Sequence, residues 1–307
     1  MRFQKLDLNL LLAFDVLLAE RSITKAAAKL NLTQSATSSI LARLREYFDD
    51  PILVYVGRTM VPSELAMMLQ EPIHKLLKQI QCTLELRPHF VAATSTRHFR
   101  VIASDYTVSV VLSRVIQQLA MEASNVTMEI VAPSKETLDS MVRGEVDLSF
   151  LPRGLEREGQ PSEVLFTETH CCVVWASNTL VRDHISLEQY LAMGHVAARF
   201  AGATTTYEDQ FFQRTGNVRK VQVTAGSFTA LPQLLIGTNR VATLQTRLAQ
   251  QLCAYFPIRM LPLPYEQTPL DVLMQWHSFV DQDPAHRWLR AVVKGVCETE
   301  SLPIEGY

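Results

Sequence analysis

The sequence has no large excess of either charge. Twenty-nine Lys and Arg stand against 31 Asp and Glu, a formal net charge of −2. Any attraction to nucleic acid must therefore come from a local patch. Cysteine is sparse. Cys82, Cys171, Cys172, Cys253 and Cys297 include no C-x-x-C pair. An odd count without a secretory signal argues against a disulfide framework and for a reducing cytoplasm. No run of eighteen apolar residues exists to span a membrane. The apolar N-terminus, "MRFQKLDLNLLLAFDVLLAERS", is broken by Asp7, Asn9 and Asp15, and no small-residue cleavage site follows. The eleven glycines build no phosphate-binding loop, and no serine sits in a G-x-S-x-G elbow. His170, His184, His195, His277 and His286 lack metal-ligand spacing, as do the cysteines. No metal, cofactor, catalytic constellation or membrane partner is expected.

One segment stands out by its own absence. Residues 21–45 contain Arg21, Lys25, Lys29, Arg43 and Arg45 but no Asp or Glu. The rest of the segment is dense in Ala, Ser, Thr and Gln. Leu8, Leu11, Leu12, Val16 and Ala19 ahead of it have helical spacing. Ser22 can cap a short helix that stops at Asn31, and Thr33 can cap another from Gln34 to about Tyr47. Two helices joined by about three residues have the size of a helix-turn-helix. "ILVYVGRTMVP" then reads as a two-stranded ribbon, or wing, with Arg58 at its tip. A long helix follows from Ser63. Its Leu65, Leu69, Ile73, Leu76, Ile80 and Leu84 are spaced like a coiled-coil seam, and Pro72 should bend it. A lone helix between a compact head and a linker has little of its own chain to cover it, so the seam predicts dimerisation. The competing reading packs the same stripe on the protein's own core.

Residues 89–98 read as a hinge. From Phe99 onward, strands and helices alternate to the closing helix at 284–298, with helices expected at 106–122, 205–215 and 227–236. Such alternation implies α/β with largely parallel sheets. The expected boundaries are 1–62 for the winged head, 63–88 for the linker helix, 89–98 for the hinge and 99–307 for the α/β module.

This order resembles the LysR-type transcriptional regulators. "LDLNLLLAFDVLLAERSITKAAAKLNLTQSATSSILARLREYFDDPILV" fits the family's N-terminal motif almost end to end, and "VPSELAMMLQEPI" looks like the start of its linker helix. "MQWHSFVDQDPAHRWLRAVV" looks like the C-terminal signature of the branch that includes nodulation and aromatic-degradation regulators. Two departures are Ser35, where the family often has Pro, and Leu44-Arg45, where it often has Leu-Glu; the second is typical of this branch. The resemblance implies a two-lobed, periplasmic-binding-protein-like α/β module behind a winged helix-turn-helix. It also implies a homodimeric or homotetrameric regulator that binds double-stranded DNA and a small-molecule effector, with RNA polymerase as a further candidate partner.

Duplex DNA is a dense line of phosphates, so an acid on the docking helix would be repelled. In a helix-turn-helix the second helix enters the major groove with its N-terminal residues near base edges. The expected DNA-facing set is Lys25, Thr33, Gln34, Ser35, Ala36, Thr37, Ser38, Ser39, Arg43 and Arg58. Gln34 suits adenine, Ser38 or Ser39 several bases, and Ala36 or Thr37 a thymine methyl. Arg43 and Arg45 suit phosphates. The bland alternative is a solvated helical face.

In open α/β sheets ligands bind beyond the carboxyl ends of the strands. Here those segments supply Ser104, Asp105, Tyr106, Ser134, Pro152, Arg153, Gly202, Thr204, Thr205 and Phe228. They are rich in hydroxyls and aromatics and suit a small molecule with an apolar body and a carboxylate or phenol. Taken singly, each Ser or Thr reads equally well as a helix cap. Beside a pure solute-binding module, which the missing signal peptide and the N-terminal head weigh against, two alternatives remain. One is an enzyme using the α/β module with an accessory head. The other is a redox-sensing regulator using Cys171 and Cys172, although "HCCVVW" reads as a buried strand.

Overall fold

The computed structural model describes residues 7–57, 59–85, 90–199, 212 and 216–299. It divides into two compact units, Met1–Leu86 and Arg87–Tyr307.

The first unit begins with α1 (Asn9–Glu20), α2 (Ile23–Leu30) and α3 (Gln34–Phe48). Ser22 Oγ accepts the Lys25 N–H, and Thr33 Oγ1 accepts that of Ala36 at 3.2 Å. Both are N-caps satisfying helix donors that would otherwise lack a partner. Asn31 closes α2 in the left-handed conformation, φ 55°, which Asn tolerates better than most residues. The wing is β1 (Leu53–Val56) paired antiparallel with β2 (Thr59–Pro62). Ser63 caps α4 (Glu64–Glu85), which runs unbroken through Pro72. Phe14, Leu17, Leu18, Leu41, Leu44, Ile52, Leu53, Met60 and Ile73 form the unit's core.

The expected seam on α4 divides. Ile73 is buried in this core, Leu69 packs against it, and His74 Nδ1 lies 3.0 Å from Asp15 on α1. Leu65 and Ile80 are half-buried. Leu76 and Leu84 are exposed, at 42% and 72%. Part of the stripe therefore belongs to the head itself, because α1 supplies the cover that the sequence reading denied it.

The second unit holds two five-stranded sheets. In the first, β4 (Thr127–Val131), β3 (His98–Ile102), β5 (Leu148–Pro152), β12 (Leu270–Gln275) and β6 (Ser162–Glu168) lie side by side in that order. In the second the order is β11 (Ile258–Leu261), β7 (His170–Trp175), β10 (Val241–Gln245), β8 (Gly194–Ala198) and β9 (Lys220–Ala225). The expectation of largely parallel sheets is corrected. β3 runs parallel to β4 and β5, but β12 is antiparallel to both β5 and β6. The second sheet repeats this pattern, with β7 antiparallel to β10 and β11. The chain leaves the first lobe after β6 and returns as β12, and these passages set the antiparallel pairs.

The expected helix at 106–122 is built of α5 (Asp105–Thr107), a π-helical turn at Val108–Leu112, and α6 (Ser113–Glu122). Two further helices, α7 (Lys135–Val142) and α8 (Leu187–Ala192), begin at the serine caps Ser134 and Ser186. The helix expected at 227–236 is only α9 (Leu231–Leu235). α10 (Thr246–Cys253) follows β10 with no side-chain cap. That expected at 205–215 lies outside the described residues, apart from Phe212.

The C-terminal signature works as a clasp. Asp281 Oδ1 accepts the Trp276 indole N–H at 2.9 Å and an Arg290 N–H at 3.0 Å, while the Arg290 guanidinium lies over the Trp276 ring. Arg97 pairs with Asp283 at 3.2 Å, and Phe90 packs on Trp288. These contacts fix α11 (Pro284–Thr299) to the start of the unit.

Candidate functional sites in the two units

In the first two turns of α3 the exposed residues are Gln34, Ser35, Ser38 and Ser39, with Ala36 half-exposed; the exposed acid Glu46 stands in the last turn. They form a polar, acid-free face at the N-terminal turns of a helix fixed by Thr33. Ser39 Oγ donates to the Ser35 carbonyl at 3.1 Å and keeps its acceptor lone pairs. Lys25 is exposed on α2. Arg43 is exposed and lies 3.3 Å from Asp7.

Three expectations change. Thr37 is fully buried and donates to the Thr33 carbonyl at 3.1 Å, so it cannot touch a base methyl. Thr33 spends its hydroxyl on the cap and on Ser35, 3.0 Å away. Arg45 is committed to backbone: Nε donates to Pro51 O at 2.8 Å and an Nη to Leu53 O at 2.9 Å. It ties the end of α3 to the wing. Arg58 lies outside the described residues.

In the second unit Ser104, Asp105 and Tyr106 follow β3, and Phe228 follows β9. They meet across the two lobes. One oxygen of Asp105, Oδ2, accepts from Ser227 Oγ at 2.7 Å, Thr229 N at 2.8 Å and Thr229 Oγ1 at 2.9 Å. The Tyr106 and Phe228 rings stand edge to face, 6.4 Å apart. Behind them the Tyr106 hydroxyl donates to Glu168 Oε2 at 2.5 Å. Glu168 is fully buried where β6 leaves the first lobe, and it also accepts the Thr169 N–H and faces Arg247 at 3.7 Å. Burial pushes its carboxyl above the usual range, against the opposing pull of Tyr106 and Arg247.

Other expected residues join less closely. Ser104 Oγ caps α5, accepting the Thr107 N–H. Ser134 caps α7 in a reciprocal pair with Thr137. Pro152 ends β5, and the exposed Arg153 is held by Asp271 of neighbouring β12 at 2.8 Å. These residues lie at the carboxyl edge of the first sheet, but Ser134 and Arg153 are bonded within their own lobe. Gly202, Thr204 and Thr205 lie outside the described residues.

Sequence reasoning missed Thr229, Glu168 and Arg247. A hydroxyl two places beyond Ser227 in "GSFTALP" was the available signal for Thr229; a single acid closing a strand offered none for Glu168. Cys171 and Cys172 are buried in β7, and burial pushes the Cys171 thiol up to about 12. A thiol so held is a poor source of thiolate. Among the described residues no group of His, Cys, Asp or Glu could hold a metal, and no helix is long and apolar enough to cross a membrane.

Two family profiles match the chain: bacterial regulatory helix-turn-helix protein, lysR family, over residues 8–67, and LysR substrate binding domain, over 92–298. Nodulation protein D 1 of Bradyrhizobium diazoefficiens is 37% identical over 294 residues, 95% of this chain and 94% of that protein. Among solved structures, a probable transcriptional regulator from Pseudomonas aeruginosa matches with TM-score 0.66 at 27% identity, covering 96% of this chain and 98% of its own. A full-length OxyR variant from the same organism shares the fold, with TM-score 0.69 at 17% identity and 95% of both chains covered. The capped helix pair with its wing, the two-sheet α/β module and these matches over almost the whole length agree: the chain belongs to the LysR family of bacterial transcriptional regulators, with an N-terminal DNA-binding head and a C-terminal effector-binding domain.

Proposed function

We propose that the protein reads its operator through the exposed turns of α3. Gln34 makes the principal base contact, Ser35, Ala36, Ser38 and Ser39 line the groove, and Lys25, Arg43 and Arg58 meet phosphates. The observation that carries this reading is the acid-free face of α3, held in register by the Thr33 cap. Residues 1–62 act as the head and 63–88 as the linker helix, which joins copies of the chain through Leu76, Ile80 and Leu84. The assembly works in the cytoplasm as a dimer or tetramer and contacts RNA polymerase at its promoters.

The effector binds between the two lobes of residues 99–307, against Ser104, Asp105, Tyr106 and Phe228, and Thr205 is assigned to it as a further contact. It is a small molecule with an apolar body and an acidic or phenolic head group. An effector that touches both lobes favours one lobe arrangement over another, and only that difference can change what the heads do on DNA. The test has two arms. Occupancy of fragmented genomic DNA by the purified protein should yield a shared, pseudo-palindromic site. A thermal-shift screen of small aromatic and aliphatic acids and phenols should give a hit whose stabilisation Thr205→Trp abolishes. Random occupancy sinks the operator reading, and a hit that stabilises both proteins equally sinks the cleft.

A further inference from the structure

Three donors of one loop converge on a single oxygen of the opposite lobe. Ser227 Oγ, Thr229 N and Thr229 Oγ1 all point at Asp105 Oδ2, at 2.7–2.9 Å. The loop is itself braced: Ser227 Oγ accepts the Ala230 N–H at 3.2 Å and lies 3.0 Å from Thr229 Oγ1. Two hydroxyls and a backbone N–H aimed at one point form a receptor for an oxyanion. Hydrogen bonds to a charged acceptor are roughly twice as strong as neutral ones. The second oxygen, Oδ1, is buried and takes no hydrogen bond among the described residues. Geometry has therefore been arranged around Oδ2, the atom a free acid would place there.

We propose that Asp105 is a built-in carboxylate ligand: it occupies an oxyanion seat on the 227–229 loop, closes the lobes in the absence of effector, and sets the threshold that an acidic effector must exceed. This rests on the reading of the inter-lobe edge as the effector site. A group tethered to the same chain competes at an effective concentration of about millimolar or more. A free carboxylate at lower concentration does not displace it unless the rest of the molecule adds contacts of its own. Asp105 thereby selects for effectors with a substantial apolar body against small metabolic acids that carry the same head group. Displacement also breaks the contact between the lobes, so occupancy of the seat and lobe arrangement are linked.

The test is chemical rescue in the full-length protein, with sodium acetate as probe and sodium chloride as the ionic-strength control. Wild type should show no acetate-specific change in its thermal midpoint, because the seat is filled. Asp105→Ala should be raised by acetate in a saturable way. Adding Ser227→Ala and Thr229→Val to Asp105→Ala should remove the rescue. Should Asp105→Ala fail to fold, Asp105→Ser, with a short polar side chain, is read in the same way. Equal acetate shifts in wild type and variant, no shift in a folded variant, or rescue that survives loss of both hydroxyls overturns the proposal. Acetate reports on the seat alone. An effector that proves to bind elsewhere leaves acetate rescue standing, so the two failures are distinguishable.

Discussion

Replacing Arg45 by Ala removes the two hydrogen bonds that hold the end of α3 to the wing. Leu53 pairs with Pro62, while the adjacent pair is bonded through Ser63 N and Ile52 O at 2.9 Å. Bonded and non-bonded pairs alternate in an antiparallel ribbon, so the Leu53 carbonyl points away from β2 and depends on Arg45. A buried hydrogen bond from a charged donor contributes about 1.5–3 kcal/mol. The guanidinium is exposed and Pro51 O keeps the Leu53 N–H as a second partner, which reduces the expected total to about 1–3 kcal/mol. For a domain of this size each kcal/mol lowers the midpoint by roughly 4–8 °C, so the head transition should fall by about 4–24 °C. Arg45→Lys should be nearly as damaging, because a point charge cannot serve two diverging carbonyls as a planar fork does. Differential scanning calorimetry reads the stability, and operator affinity against salt reads the phosphate contacts. Loss of a phosphate contact lowers the log–log salt slope by about 0.9; the folded variant should leave it unchanged. An unaltered transition together with a slope reduced by that amount refutes the clasp and returns Arg45 to the DNA.

Three other substitutions probe separate parts of the molecule. Gln34→Ala should relax preference at one base pair by about 1–3 kcal/mol, read by competition between operator variants; equal loss on operator and random DNA counts against base readout. Leu84→Glu or Leu76→Glu should dissociate the assembly while leaving the α/β module folded, because each buries a charge only when two copies meet; sedimentation that still shows the parental oligomer removes both residues from the interface. His286 is buried with Nε2 at 2.8 Å from the Asp147 carbonyl, and burial lowers its pKa to about 4. The unfolded chain takes up the proton first, near 6.5, so this group reduces stability as pH falls from about 6.5 toward 4, by up to roughly 3 kcal/mol. His286→Asn should flatten urea stability over that window relative to wild type, and a parallel pH profile in the two proteins contradicts the assignment.

The head was the more legible half, because its signals are local. Ser22 and Thr33 cap the helices that their spacing implied, and Asn31 ends α2 as a residue tolerant of positive φ should. Facing was less legible than identity. Thr37 and Arg45 have the right chemistry for DNA, but one is turned into the core and the other to the wing. One residue along a helix is a rotation of about 100°, so composition cannot separate Ser38 from Thr37. In the second unit the strand-end rule picked out Asp105, Tyr106 and Phe228, whose segments the fold brings into contact. Their partners depend on which strands the chain sets beside one another after leaving a lobe and coming back. β6 and β11 escaped notice, and α10 did so because it follows β10 without a capping side chain.

The place of β12 between β5 and β6 bears on how the chain can be made and cut. The first lobe is assembled from two distant stretches, and everything from β7 to β11 is inserted between them. During synthesis the head and the N-terminal strands emerge early, yet the first sheet lacks a central strand until residue 275 has been added. At a few to twenty residues per second, that sheet waits at least several seconds with β5 and β6 unjoined. A chain ending after β11 would retain the head and the strands of the inserted lobe and still lose the lobe that begins with β3. Conversely, excising 169–269 and joining the flanks with a short linker should leave a self-contained five-stranded domain. The later lobe is thus a guest in the earlier one, and residues 270–299 decide whether the host closes.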